Sequence, residues 1–323
     1  MGLVVDKIVK KYGENTVVDQ LSFRMDQPGV YALLGRNGAG KTTTIRMMLG
    51  MLAMDGGSVT WNDKPLSPFT TNIGYLAEER GLYPKYTLMD QLIYFSRLKN
   101  ISEQEAKKRI KYWAERLQVE EYIYPTTSAD QKKSRGKGAI QSRKAEQLSK
   151  GNQQKIQLMA SLISDPDLII FDEPLSGLDP VNADIFRDII HDCIRKEKYI
   201  IMSSHQMATI EEFCTDLTIL NRGKDVLSGN LNKIKKSYGR VNMYLKSEED
   251  LHPYIKEHNL TILEETPDGI HIKVSGQEEA DHFLKDLASQ NVSLIRFELR
   301  EPSLHEIFVS TVENDSKAGD EHE

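Results

Sequence analysis

The stretch "LLGRNGAGKTTTIRMMLG", residues 33 to 50, constrains this chain more than any other. Gly35, Gly40, Lys41 and Thr42 stand in the fixed places of G-x-x-x-x-G-K-[ST]. Glycine lets a backbone come close to an anion and turn several N–H groups toward it. The helix expected from about Thr42 adds the partial positive charge of its N-terminus. Arg36, Asn37, Gly38 and Ala39 complete the loop, and Thr43 follows it. Lys41 can reach the outer phosphates of a nucleoside triphosphate, and the Thr42 hydroxyl can ligate Mg²⁺. The preceding "VYALLG" reads as a buried strand, so the loop joins a strand to a helix.

At 323 residues the chain has room for about two domains. Its net charge of −6 argues against a general polyanion binder, and no nucleic-acid partner is expected. Cys193 and Cys214 lack metal-type spacing and read as buried thiols. "MGLVVDKIVKKYG" lacks the apolar core of a signal peptide, and no run of about 18 apolar residues could span a bilayer. Any passage across a membrane therefore falls to another chain.

Along the sequence, "LVVDKIVKKYG" and "VVDQLSFRMD" alternate like antiparallel edge strands, and "GSVTWNDKPL" reads as a hairpin. From Pro84 the spacing turns helical, and Ser102 with Glu105 forms a capping-box pattern. "DLIIFDEP" and "YIIMSSH" read as buried parallel strands, with helices starting near Val181 and Met207. At the end of the first lies Asp172, suited to hold Mg²⁺ beside the phosphates. Glu173 follows, placed to orient or deprotonate an attacking water.

"QLSKGNQQKIQLMASLI" sets Ser149 and Gly151 at the head of an amphipathic helix, and "IIMSSH" sets His205 at a strand end. Together with "GRNGAGKT", "IIFDEP" and "SGLD", in this order, the chain resembles the ATP-binding subunit of an ABC transporter over residues 1 to about 230. GTPases and kinases share only the first loop, and no [NT]-K-x-D guanine-reading motif occurs. The resemblance implies a cytoplasmic-face, peripheral ATPase that works with separate transmembrane permease subunits. It also implies a dimer with a second ATP-binding subunit, identical or closely related. In such a dimer Ser149 and Gly151 face the γ-phosphate held by the partner's Lys41, and Asp179 touches the opposite subunit. Tyr12 lies where the family stacks an aromatic on adenine; an ordinary edge-strand tyrosine is the other reading. His205 would contact the γ-phosphate.

Three departures stand out. Glu78 in "GYLAEERGLYP" occupies the usual glutamine position, where it could act as a metal ligand; Lys150 replaces a usual glycine; and residues 125–147 form an extra loop. From Gln131 to Lys144 that loop has six basic residues and no acid, suiting either a solvated loop or a contact with anionic lipid or an acidic partner.

After about Lys236 the order β-α-β-β-α-β suggests a small ferredoxin-like domain. "EPSLHEIFVSTVEN" resembles the C-terminal end of multidrug-, sodium- or bacteriocin-exporter ATPases, and "LSKGNQQK" with "EERGLYPK" resembles the sodium-exporter type. The expected fold is thus α/β: a P-loop ABC-type ATPase core (parallel sheet, antiparallel edge sheet, helical subdomain over about 84–160) through residue 235. An α+β domain over 236–314 and a disordered tail over 315–323 follow. The rival from another class is a soluble ABC-type ATPase acting on nucleic acid or ribosomes. Members of that kind usually carry two nucleotide cores, and this chain has one. A non-hydrolysing ATP-binding regulator is a third reading, against which Asp172, Glu173 and His205 weigh.

Overall fold

A computed structural model describes residues 2–79, 81–124 and 142–320. The extra basic loop lies largely outside these residues. Contacts divide the chain into Met1–Gln206 with Phe213–Ser228, and Met207–Glu212 with Gly229–Glu323.

The first unit opens with alternating strands β1 (Leu3–Tyr12) and β2 (Asn15–Met25), paired antiparallel from Leu3↔Met25 to Tyr12↔Asn15. β3 (Gly29–Leu34) is buried at every position, as a strand flanked on both faces must be. It runs through the loop into α1 (Lys41–Met48). The hairpin of β4 (Gly56–Trp61) and β5 (Lys64–Pro65) turns on Asn62 and Asp63, with φ of 51° and 64°. Two left-handed residues give the turn a twist that matches the strands.

β6 (Ile73–Leu76) leads to the helical insert: α2 (Leu88–Leu98), α3 (Glu103–Leu117), α4 (Glu120–Ile123) and α5 (Lys150–Leu162). Ser102 caps α3 by accepting from Glu105 N at 3.3 Å, but the reciprocal half of the capping box does not form. The Glu105 carboxylate bonds Arg109 Nε at 2.9 Å instead, one turn on, where an opposite charge outweighs a backbone amide.

β7 (Leu168–Asp172), α6 (Pro180–Arg195), β8 (Tyr199–Ser204), β9 (Asp216–Asn221) and β10 (Lys224–Asn230) complete this unit. Its main sheet has the order β10-β9-β3-β8-β7-β6, and β9, β3, β8, β7 and β6 pair in parallel. The smaller antiparallel sheet has the order β2-β1-β4-β5. Leu33, Ile45, Ile170 and Ile201 are among the buried residues that pack between these layers.

The second unit takes in α7 (Met207–Glu211) and α8 (Leu231–Tyr238), so the division falls before α8 rather than after it. Then come β11 (Asn242–Ser247), α9 (His252–Glu257), β12 (Thr261–Thr266), β13 (Gly269–Lys273), α10 (Gln277–Ser289) and β14 (Leu294–Arg300). The sheet order β12-β13-β11-β14, antiparallel throughout, is that of a ferredoxin-like βαββαβ domain. Met243, Leu245, Ile272, Phe283 and Leu287 form its core. α11 (Leu304–Asp320) continues past the boundary where the sequence reads as disordered. The helix thus takes in Asp315 to Asp320, a polar run without proline.

Candidate active site

Neighbouring parallel strands β3, β8, β7 and β6 all present their carboxyl ends on one edge, the usual binding edge of an open α/β sheet. β3 delivers the glycine-rich loop, β7 delivers Asp172 and Glu173, β8 delivers Ser203 to His205, and β6 leads to Glu78. The pieces are far apart in sequence and adjacent because the strands are.

Gly40 caps α1 with φ of 107°, and a Cβ there would lie 2.8 Å from Val17 O. Only glycine fits, so the loop can close over the helix N-terminus. Ala39 N donates to Arg36 O at 3.1 Å, making the loop a tight turn. Lys41 is buried and its Nζ donates to Gly35 O at 2.8 Å and Arg36 O at 3.3 Å. The same ammonium sits 3.4 Å from Glu173 Oε1, both side chains being 6% exposed.

Glu173 is held from two sides, because His205 Nδ1 lies 2.9 Å from its other oxygen, Oε2. Its backbone has φ of 51°, the left-handed region that few non-glycine residues adopt. Ser203 holds that conformation: its Oγ accepts from Glu173 N at 3.0 Å and donates to Asp172 Oδ1 at 2.5 Å. Thr42 Oγ1 donates to the same Asp172 oxygen at 3.3 Å. Burial pushes the Asp172 carboxyl above its ordinary pKa, against the Ser203 and Thr42 hydrogen bonds that pull it down.

Asp172 Oδ2 is buried and has no hydrogen-bond partner. An orphaned carboxylate oxygen beside a threonine hydroxyl is a donor set suited to a hard divalent cation. Among the described residues no group of three or more His, Cys, Asp or Glu could hold a metal unaided. A cation here would draw its other ligands from nucleotide phosphates and water, as Mg²⁺ does in phosphate sites.

Gly38, Gly40, Lys41, Thr42, Glu78 and Glu173 line a cleft of about 320 Å³, together with Asn37, Thr43 and Val17. Glu78 is exposed at its rim. Tyr12 does not line it; the residue is 54% exposed at the end of β1, with Lys10 Nζ 5.4 Å from its ring centroid. Ser149 and Gly151 also lie off this cleft. Ser149 Oγ accepts from Asn152 N at 3.3 Å and so caps α5, and a Cβ on Gly151 would come within 2.9 Å of Asn182 Nδ2. Asp179 caps α6 by accepting from Asn182 N at 3.0 Å.

Sequence reading passed over Ser203, Gln154 and Gln157. Gln154 Nε2 donates to Pro174 O at 2.8 Å and Gln157 Nε2 to Glu79 O at 3.2 Å, tying α5 to two edges of the cleft. The available signal for Ser203 was a pair of serines closing an apolar strand.

The model of the ABC transporter family matches residues 18–176. The ABC transporter ATP-binding protein YhaQ of Bacillus subtilis is 38% identical over 311 residues, 96% of this chain and 98% of the relative. The chain is an ABC transporter ATP-binding subunit. Its ATP-binding domain is an ATPase coupled to transport, and subunits of this family generally dimerise and pair with membrane permeases. A second family model, the C-terminal domain of DrrA1-3-like ATP-binding proteins, matches residues 229–312. The Nod factor export ATP-binding protein I of Paraburkholderia xenovorans is 31% identical over 228 residues, 69% of each chain. Among solved structures, an ATP-binding subunit of an ABC transporter superposes with a TM-score of 0.63 at 27% identity, covering 74% of this chain and 93% of that one. Among the described residues no helix is long and apolar enough to cross a membrane.

Proposed function

We propose that this ABC ATPase drives export by separate membrane subunits, sodium or a drug or peptide being the cargo class. It would act at the cytoplasmic face as one of two ATP-binding subunits. Each subunit supplies the phosphate loop of one site and the Ser149–Gly151 segment of the other, with Asp179 at the dimer contact. Support for export comes from the DrrA-like C-terminal domain and from the exporter among the relatives.

In this reading Lys41 and the loop amides from Asn37 to Thr43 bind the β- and γ-phosphates, and Tyr12 covers the adenine. Thr42 and Asp172 would hold Mg²⁺, which when bound neutralises phosphate charge, and Glu78 would be a further ligand. Glu173 takes the proton of the attacking water as the γ-phosphoryl leaves ADP. His205 orients that carboxylate and meets the γ-phosphate.

The observation that carries the proposal is the Glu173 carboxylate, buried at the cleft between Lys41 at 3.4 Å and His205 at 2.9 Å. A carboxylate held from two sides is aimed without any cost of reordering.

Purification of the tagged chain from detergent-solubilised membranes tests the coupling. A multi-span membrane protein should co-purify and alter the ATPase rate. Recovery with ribosomes or nucleic acid, and without such a protein, would overturn the transport reading.

A further inference from the structure

Strands β8 and β9 of the ATPase core are joined by a segment that belongs to the other unit. Gln206 closes one stretch of the first unit and Phe213 opens the next, while Met207–Glu212 lies with the second. α7 takes up five of those six residues, and its Met207 and Ile210 are buried. It starts two residues beyond His205, whose Nδ1 lies 2.9 Å from Glu173 Oε2. Ser204 Oγ accepts from Gln206 N at 2.9 Å, which stiffens the connection. Consecutive Cα atoms are about 3.8 Å apart across a trans peptide, so two such steps leave little slack. A shift of α7 is therefore felt in the backbone at His205.

One carboxylate holds the far end of α7. Glu211 Oε1 lies 2.5 Å from Lys235 Nζ, in the last turn of α8. Glu211 Oε2 accepts from Leu304 N, the first residue of α11, at 2.9 Å. The ends of three helices thus meet on a single side chain. Both bonds are charge-assisted, and the second sets a negative charge where the dipole of α11 is positive.

α11 is fixed in turn to the C-terminal sheet. Ser303 N donates to Glu306 Oε2 at 2.7 Å, and Asn242 Nδ2 on β11 donates to Glu306 Oε1 at 2.7 Å. Asn242, Leu304 and Ile307 are buried. Glu306 and Glu211 therefore join β11, α11 and α7 in one connected path, which the chain continues to His205.

We propose that Glu211 is a positioning residue through which the C-terminal unit sets His205, and with it the rate of ATP hydrolysis. While Glu211 bonds Lys235 and Leu304, α7 is fixed and His205 is held against Glu173. When those bonds open, α7 and the backbone at His205 are free to move. A load on β11 or α11 can then change turnover without touching the nucleotide. The inference rests on the reading above for the roles of His205 and Glu173.

The test uses the full chain and radiolabelled ATP, with kcat, equilibrium ATP binding and the denaturant midpoint measured for each variant. Glu211→Gln keeps an oxygen for Leu304 N and loses the ion pair, as Lys235→Met does from the other side. Each should lower kcat by about threefold, and Glu211→Ala, which loses both bonds, by about tenfold. ATP affinity should stay within about twofold of wild type. In a His205→Ala background the same substitutions should have no further effect, because the side chain they position is gone. A merely structural role would lower turnover in both backgrounds. Wild-type kcat in Glu211→Ala, or the same fold-loss with and without His205, would overturn the proposal and leave the reading of His205 standing. Wild-type kcat in His205→Ala would overturn that reading and the proposal with it.

Discussion

Glu173 depends on its neighbours at single-atom scale, and Ser203 is the neighbour that the strand pattern hides. One buried hydroxyl bonds both Asp172 and the Glu173 amide, so Ser203→Ala leaves buried polar atoms without that partner. Each such loss costs about 1–3 kcal/mol. Turnover should fall by roughly ten- to a hundredfold, with nucleotide affinity changing less, and Ser203→Thr should restore it. Steady-state kinetics beside equilibrium ATP binding would decide; wild-type turnover in Ser203→Ala would remove Ser203 from the account. Lys41→Ala deletes the side-chain cation of the cradle and should weaken ATP binding by about ten- to a hundredfold, measured by calorimetry. Lys41, Thr42, Asp172, Glu173 and His205 were legible because their motifs are local and ordered along the chain. The Ser203 clamp was not, since it depends on the register that sets Asp172 beside Ser203 across β7 and β8. Tyr12, proposed as a base-stacking ring, is exposed beside Lys10.

Elements carry the site by their order in the sheet. Alternation identified β1 and β2, and unbroken apolar runs identified β3, β7 and β8. The sequence could not give the neighbour order β3-β8-β7-β6, because parallel pairing joins strands separated by whole helices. α5 packs tightly on β6: a Cβ on Gly74 would meet Ser161 O and come within 2.8 Å of Pro166 Cγ. Gly74→Ala should therefore destabilise the chain by about 1–3 kcal/mol, seen as a lower denaturant midpoint. An unchanged midpoint would mean that β6 and α5 can separate freely. The half-formed capping box at Ser102 and the reach of α11 to Asp320 show where local patterns mislead. In the first a competing ion pair wins the glutamate, and in the second the helix runs on through residues read as a disordered tail.

At the scale of the whole molecule, the proposed dimer gives each chain half of each catalytic site. Ser149 and Gly151 lie off the cleft that contains Lys41, as expected of residues that serve a second subunit. The ferredoxin-like order of the C-terminal domain was legible because its strands and helices are short, regular and consecutive. The most direct test of the account is the molecular mass of Glu173→Gln by light scattering with MgATP and with MgADP. Without a base, turnover should fall by about 10²–10⁴-fold while ATP stays bound. The account expects a dimer with MgATP and a monomer with MgADP. A variant that stays monomeric with saturating MgATP, or hydrolyses it at the wild-type rate, would contradict it.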